Sequence, residues 1–523
     1  MRFLSATCHF PKLLHFYRDY VKGIRTSYKL PVCPGDGCRL GRPLRLGTYE
    51  FYNPTRVLMT TNHNRHSWPY RFFRLEDRKA TLLGEIRAGF ATFMVMAYII
   101  FVNPSILGGA PDSIGMVMPP AAILSLTCLT AGIMTIFMGL YANYPFALAP
   151  GMGLNAVVAY QLVGQMGLTW GQAMTVVLIE GLIIFVLVLT QFREAMMDAI
   201  PVSLKKSIGA GIGLFLALIG GVNGGIIVTT TGTPLALGDL SQISVITFLS
   251  GLLLTVWLMA RGVKGAILWG IASTTLLAIT LNLMVADGTA FGGSAQVPTE
   301  FIGLPQGIFG PESIFGRIDF GLFTKLGVVA AILAVFSLLL TDFFDTMGTV
   351  VGLGEEGGFL TGEGKLPGVN RVLLVDSVGA VFGGFANASS NTTYIESAAG
   401  IAEGGRTGLT AVVVGMLFLL CMFFSPLASI IPAEATAPAL IVVGFLMMST
   451  LRDIPWKDYE ESIPAFLTLL LMPLTYSITN GIGAGIITYT VLKLLAGKRH
   501  EIHWLLVAAA VAFVVYFVLS AQS

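Results

Sequence analysis

Asn387-Ala388-Ser389-Ser390-Asn391-Thr392-Thr393-Tyr394-Ile395-Glu396-Ser397-Ala398-Ala399-Gly400 is small and polar and carries one carboxylate, yet long apolar runs flank it on both sides. Those runs place it at membrane depth, where irregular backbone survives only inside protein or beside a wet cavity. It reads as a short extended piece, Ser389 to Thr393, followed by a half-helix from Tyr394 with Glu396 in its first turn. Such a half-helix turns free N–H groups and a positive dipole end into the cavity, and an acid at that depth marks function by default. The plain alternative is a Ser/Thr-rich loop at the membrane surface.

The surrounding chain supports the membrane reading. It has 523 residues, 54% hydrophobic and 11% charged, with a mean hydropathy of +0.78. Soluble domains carry about 25% charged residues, so this is an all-α polytopic membrane protein. A net charge of +2 suggests no nucleic-acid partner. Of the 5 cysteines, Cys8, Cys33 and Cys38 precede the first span, and Cys128 and Cys421 lie in apolar runs, so no disulfide framework is expected. The 6 histidines all fall outside the firm spans, which argues against a histidine metal site; no metal or cofactor is expected.

Residues 1–80 are basic, aromatic and Pro/Gly-punctuated, and they are expected to be a disordered extension. Met59 opens a segment that reads as an ordinary short start, so 1–58 is expected to lie upstream of the natural protein, the alternative being a genuine tail. Beyond it, apolar runs alternate with loops. Arg71, Arg74, Arg78 and Lys79 precede the first run, and Arg193, Lys205 and Lys206 follow the fourth. Arg261 and Lys264, Lys365 and Arg371, Arg406, Arg452 and Lys457, and Lys498 and Arg499 mark later alternate connections, while intervening loops such as 104–118, 163–169 and 222–241 lack Lys and Arg. The alternation predicts about fourteen crossings with both ends cytoplasmic and the long loop 285–321 outside. A last apolar run, 503–520, either crosses or lies at the interface.

Two crossings are broken alike. The third contains Ala149-Pro150-Gly151-Met152-Gly153-Leu154-Asn155-Ala156, a Pro/Gly break with a half-helix opening near Asn155; the tenth is the stretch quoted first. Breaks seven crossings apart predict a 7+7 inverted repeat with a binding site where they meet.

The eighth crossing reads Thr341-Asp342-Phe343-Phe344-Asp345-Thr346-Met347-Gly348-Thr349. Asp342, Asp345, Thr346 and Thr349 share one helix face, and a stripe with two carboxylates faces the bundle interior, unless the span ends early and the stripe caps it. Glu180 and Asp376 are isolated acids that read as structural. With no firm mid-span base, desolvated carboxylates take up protons readily, as a proton-coupled carrier requires. They also accept paired N–H donors, which suits a flat nitrogen heterocycle.

The segments Ala88-Gly89-Phe90-Ala91-Thr92-Phe93 to Met96-Ala97-Tyr98-Ile99-Ile100-Phe101-Val102-Asn103-Pro104, Ala149 to Ala156, Asp342-x-x-Asp345-Thr346-x-Gly348-Thr349 and Thr393 to Gly400 closely resemble AzgA-like purine permeases. These are the adenine/guanine/hypoxanthine branch of the nucleobase–cation symporters, in the nucleobase–ascorbate transporter superfamily. The resemblance runs from about residue 80 to the C-terminus. It implies the uracil-permease-like fold, with a core domain from 81–199 and 322–433, a gate domain from 200–321 and 434–500, and a C-terminal hydrophobic segment, 501–523. It implies purine import by proton symport across the cytoplasmic (inner) membrane, N-terminus cytoplasmic, with a homodimer as a candidate assembly. Asn155, Asp342, Asp345 and Glu396 would bind the purine, with Ser397 beside them; Asp342, Asp345 and Glu396 are the proton candidates. The run Asn387 to Asn391 departs from a Gly-Thr-Ser-Thr-like pattern and bears on fine specificity.

Rival readings are weaker. A membrane enzyme lacks a zinc motif and a paired-aspartate motif on two helices. A channel would show a repeated filter. A carrier of uracil, xanthine or an inorganic anion shares the architecture, but an anion would want a basic group or bare dipole where Asn155 and Glu396 stand.

Overall fold

The computed structural model describes residues 68–520 except 110, 191–199, 231, 285–290, 292–293, 299, 311–312 and 362–364. Residues 1–67 of the expected disordered extension lie outside the described residues, as do Arg193 and much of the first part of the loop 285–321; residues 68–80 depart from that expectation, with a helix over Trp68–Phe72 and with Phe73 and Leu75 buried.

Helices dominate. Besides the short Trp68–Phe72 and Leu322–Leu326, in chain order they are α1 (Leu82–Met96), α2 (Ile99–Leu107), α3 (Pro120–Phe137), α4 (Met152–Ala156), α5 (Trp170–Leu189), α6 (Val202–Asn223), α7 (Ile243–Ala260), α8 (Ala266–Met284), α9 (Val328–Glu356) and α10 (Val369–Phe385). Then follow α11 (Ser397–Ala402), α12 (Gly408–Cys421), α13 (Ala433–Met447), α14 (Tyr459–Leu474), α15 (Ile478–Leu495) and α16 (Trp504–Ser520). Among the described residues, 10 helical stretches are at least 18 residues long and apolar enough to cross a membrane. The expectation of about fourteen differs by four crossings. Two of these are the broken ones, and α10 and α14 have 17 and 16 residues.

Two three-residue strands stand where the breaks were expected: β1 (Leu148–Pro150) and β2 (Asn391–Thr393). They pair antiparallel, with Leu148 opposite Thr393, Ala149 opposite Thr392 and Pro150 opposite Asn391. The Gly151 N–H donates to the Ser390 carbonyl at 2.9 Å, and the Tyr394 N–H donates to the Ala147 carbonyl at 2.9 Å. Backbone groups freed from a helix thus satisfy one another, as buried backbone must. The second half-helix begins at Ser397 rather than Tyr394, because Tyr394 is held in the ladder. Glu396 sits at the N-cap position instead of inside the first turn. Asn387 and Ser389 have positive φ, 58° and 74°, a backbone state that favours glycine, and this bends the chain into β2.

Packing follows sequence small-residue patterns. A Cβ at Gly408 would lie 1.9 Å from the Gly139 carbonyl oxygen, and one at Gly415 would lie 2.6 Å from the Gly132 carbonyl oxygen, so α12 and the α3 segment meet backbone to backbone. α5 packs on α10, and α6 packs on α13 and α14. The buried Glu85 carboxylate on α1 accepts N–H groups of Arg406, Thr407 and Thr410 at 2.9, 3.2 and 3.3 Å, capping α12 from another helix. Lys493, 4% exposed, is surrounded by Glu460, Glu461 and Glu501 at 3.0, 3.5 and 2.8 Å. α16 lies against α15 and α9, with the Phe513 ring 5.7 Å from that of Phe336.

Candidate functional site

The polar face of α9 meets the β1–β2 pair. Asp342, 1% exposed, accepts the Ser390 hydroxyl at 2.6 Å. One turn on, the Thr346 hydroxyl donates to Asp376 on α10 at 2.7 Å and lies 3.3 Å from Asp342. Asp376 also accepts from the Thr393 N–H at 2.9 Å and the Thr393 hydroxyl at 3.0 Å. Asp376 is therefore not isolated: it holds β2 in place and shares Thr346 with Asp342. The sequence showed only its distance along the chain from other acids.

Asp345 is half-buried and accepts the Thr392 hydroxyl at 3.3 Å. Asp342, Asp376 and Glu396 are all its electrostatic neighbours. A Cβ at Gly151 would lie 3.5 Å from the Asp345 carboxylate and 2.9 Å from the Thr392 hydroxyl, so a side chain there would push the Thr392 hydroxyl aside.

Asn155 follows one turn later on α4. It is fully buried, and neither its amide nitrogen nor its amide oxygen has a hydrogen-bond partner. Leaving such a group unpaired costs about 1–3 kcal/mol, and the amide can pair with a group offering both a donor and an acceptor. Glu396 is half-buried, and its Oε1 accepts the Tyr98 hydroxyl at 2.5 Å. Ser397 is fully buried, and its Oγ accepts the Ala147 N–H at 3.0 Å.

Four of the five candidate residues thus gather around the paired breaks: Asn155, Asp342, Asp345 and Glu396. Ser397 is turned to the scaffold and ties the second half-helix to the residue before β1. Sequence reasoning missed Tyr98, Thr346, Ser390 and Thr392 as partners of the acids. Their hydroxyls lay inside the recognised motifs, but nothing in linear spacing pairs them. A separate cavity of about 190 Å³ is lined by Asp112, Trp170, Arg317 and Asn387 and by none of these acids. Asp112 there accepts backbone N–H groups of Ile114, Met116 and Trp170, which makes it a loop brace.

Residues 83–484 match the sequence model described as "Permease family". The chain is 41% identical to the adenine permease AdeQ of Escherichia coli, covering 86% of this chain and 96% of that one. It is 40% identical to the guanine/hypoxanthine permease PbuO of Bacillus subtilis, covering 84% and 98%. Among solved structures it resembles the transmembrane domain of the cyanobacterial bicarbonate transporter BicA, with a TM-score of 0.56, 15% identity, and 76% and 97% coverage. Murine Slc26a9 in the inward-facing state gives 0.57 at 12% identity, with 87% and 77% coverage. These two share the fold.

Proposed function

This chain belongs to the permease family, and we propose that it imports purine nucleobases, with hypoxanthine, guanine and adenine as the substrate class. It is a membrane transporter, not an enzyme. The observation that carries the substrate class is the end-to-end likeness to adenine and guanine/hypoxanthine permeases. The site's chemistry supports it. Glu396, Asp345 and Asp342 accept N–H donors, and Asn155 supplies a complementary donor and acceptor, which fits the mixed edge of a purine. Ser397 acts as a positioning residue.

Transport in this reading is proton symport through alternating access across the cytoplasmic membrane, with a cytoplasmic N-terminus. Carboxylates gathered around Asp345 repel one another when all are ionised, and a proton entering with the purine relieves that repulsion. Adding the two broken crossings, α10 and α14 to the ten long spans gives fourteen, arranged 7+7. The contacts of α6 with α13 and α14, and of α5 with α10, support a gate and a core that move against each other.

The fold alone also admits an anion carrier, given the likeness to BicA. An anion would meet four carboxylates here, so we favour the purine. The test is uptake of labelled hypoxanthine, guanine, adenine, uracil and bicarbonate by cells lacking their own carriers. Uptake confined to the three purines is expected; uptake of bicarbonate or uracil instead would replace the reading.

A further inference from the structure

The first crossing is interrupted as well. α1 ends at Met96 and α2 begins at Ile99. Around the joint, the Ile100 N–H donates to the Ala97 carbonyl at 3.1 Å and the Phe101 N–H to the Tyr98 carbonyl at 3.0 Å. These tight i-to-i+3 bonds break the regular helix at Tyr98. Tyr98 has no exposed surface, and its hydroxyl reaches a carboxylate on a different broken crossing, that of Glu396, at 2.5 Å. Among the described residues, no other side chain donates to Glu396. The other nearby tyrosine, Tyr394, is turned to the Pro150 carbonyl instead.

We infer that Tyr98 is a positioning residue for purine recognition, holding the Glu396 carboxylate in the orientation in which the cargo meets it. Tyr98 is sealed from the open space while Glu396 is only half-buried, so Tyr98 acts through Glu396 and does not touch the purine. Glu396 stands at the mouth of a six-residue half-helix, and a glutamate there swings about several bonds. Tethering it in advance removes freedom that binding would otherwise have to remove. The recognition site thereby depends on the first crossing as well as on the third, eighth and tenth. The bland account is that a buried tyrosine hydroxyl needs a partner and Glu396 is merely the nearest acceptor.

This inference rests on Glu396 as a purine ligand, and the experiment separates the two. Equilibrium binding is measured on the purified full chain with whichever of adenine, guanine and hypoxanthine the wild type holds most tightly. Y98F keeps the ring and loses only the oxygen. Its affinity is expected to fall about tenfold with the melting temperature little changed. E396Q measured alongside is expected to lose binding. If E396Q loses binding while folded Y98F binds like wild type, the role of Tyr98 is overturned and that of Glu396 stands. Wild-type binding by E396Q overturns both. Should Y98F fail to fold, 3-fluorotyrosine at position 98 keeps ring and hydroxyl and makes the hydroxyl more acidic. A shift in the pH profile of purine binding supports the inference, and an unmoved profile overturns it.

Discussion

The Tyr394 hydroxyl donates to the Pro150 carbonyl at 2.6 Å, joining the two breaks across 244 positions of chain. Proline lacks an N–H, so it interrupts the helix, yet its carbonyl remains free to be claimed. Three-residue strands are too short to stand as a sheet by themselves. Side chains reinforce them: Tyr394 on Pro150, Ser397 on Ala147, Thr135 on Leu148 at 2.9 Å, and Asp376 on Thr393. The two half-helices are thereby tied to one another beside α9.

Glu396→Gln and Asp342→Asn each keep shape while removing an acceptor. Each is expected to lower purine uptake at least tenfold, about 1.4 kcal/mol, with protein still reaching the membrane. Uptake assays beside surface quantification decide it; a variant with wild-type affinity and rate removes that residue from the site.

Asn155→Ala is expected to part stability from function. Its amide atoms are buried and unpartnered, so deleting them relieves about 1–3 kcal/mol of desolvation and offsets the lost packing. The ligand-free melting temperature should hold or rise, while the extra stability conferred by purine disappears or changes its preference among purines. A large fall in ligand-free stability would show that the amide is structural.

Gly211 and Gly213 on α6 are close-packed against α14 and α13. A Cβ at Gly211 would lie 2.5 Å from the Met472 sulfur, and one at Gly213 would lie 2.6 Å from the Gly444 carbonyl oxygen. Gly213→Val should therefore cost about 1–3 kcal/mol and lose expression, binding and uptake together. The proposed motion of gate against core is better probed at Gln161, whose amide donates to the Thr479 hydroxyl at 2.9 Å, with Ser337 also bonded to Thr479. Gln161→Leu with Thr479→Val is expected to change the transport rate while purine affinity stays; an unchanged rate would mean this contact does not move.

Collapsing the pH gradient with a protonophore is expected to depress uptake. One surface pair is not the cause. Glu403 is held below the usual glutamate range by its hydrogen bond and charge interaction with Lys264, with Arg87 adding to the effect and slight burial opposing it. A depressed carboxyl contributes stability above its unfolded value, and that contribution is lost only as pH falls through the lower folded value. The pair is thus intact throughout the range above the ordinary glutamate value of 4.5. E403Q should leave the pH profile of uptake unmoved in that range, and a shifted profile would implicate the pair in coupling.

Sequence by itself determined the membrane class, the two breaks and the acid-bearing face of α9, because each is a local property. Hydropathy, a Pro/Gly interruption and an i, i+3, i+4 spacing are all written within a few residues of one another. It also pointed to Asn155, Asp342, Asp345 and Glu396, since polar groups at membrane depth stand out against apolar neighbours. Only the tertiary structure decided that β1 pairs with β2, that Asp376 braces Thr393, that Ser397 serves the scaffold and that Tyr98 reaches Glu396. Those are contacts between positions up to 298 residues apart. A hydroxyl reads the same in sequence whether it meets substrate, carboxylate or backbone, and its partner is set by how the crossings pack.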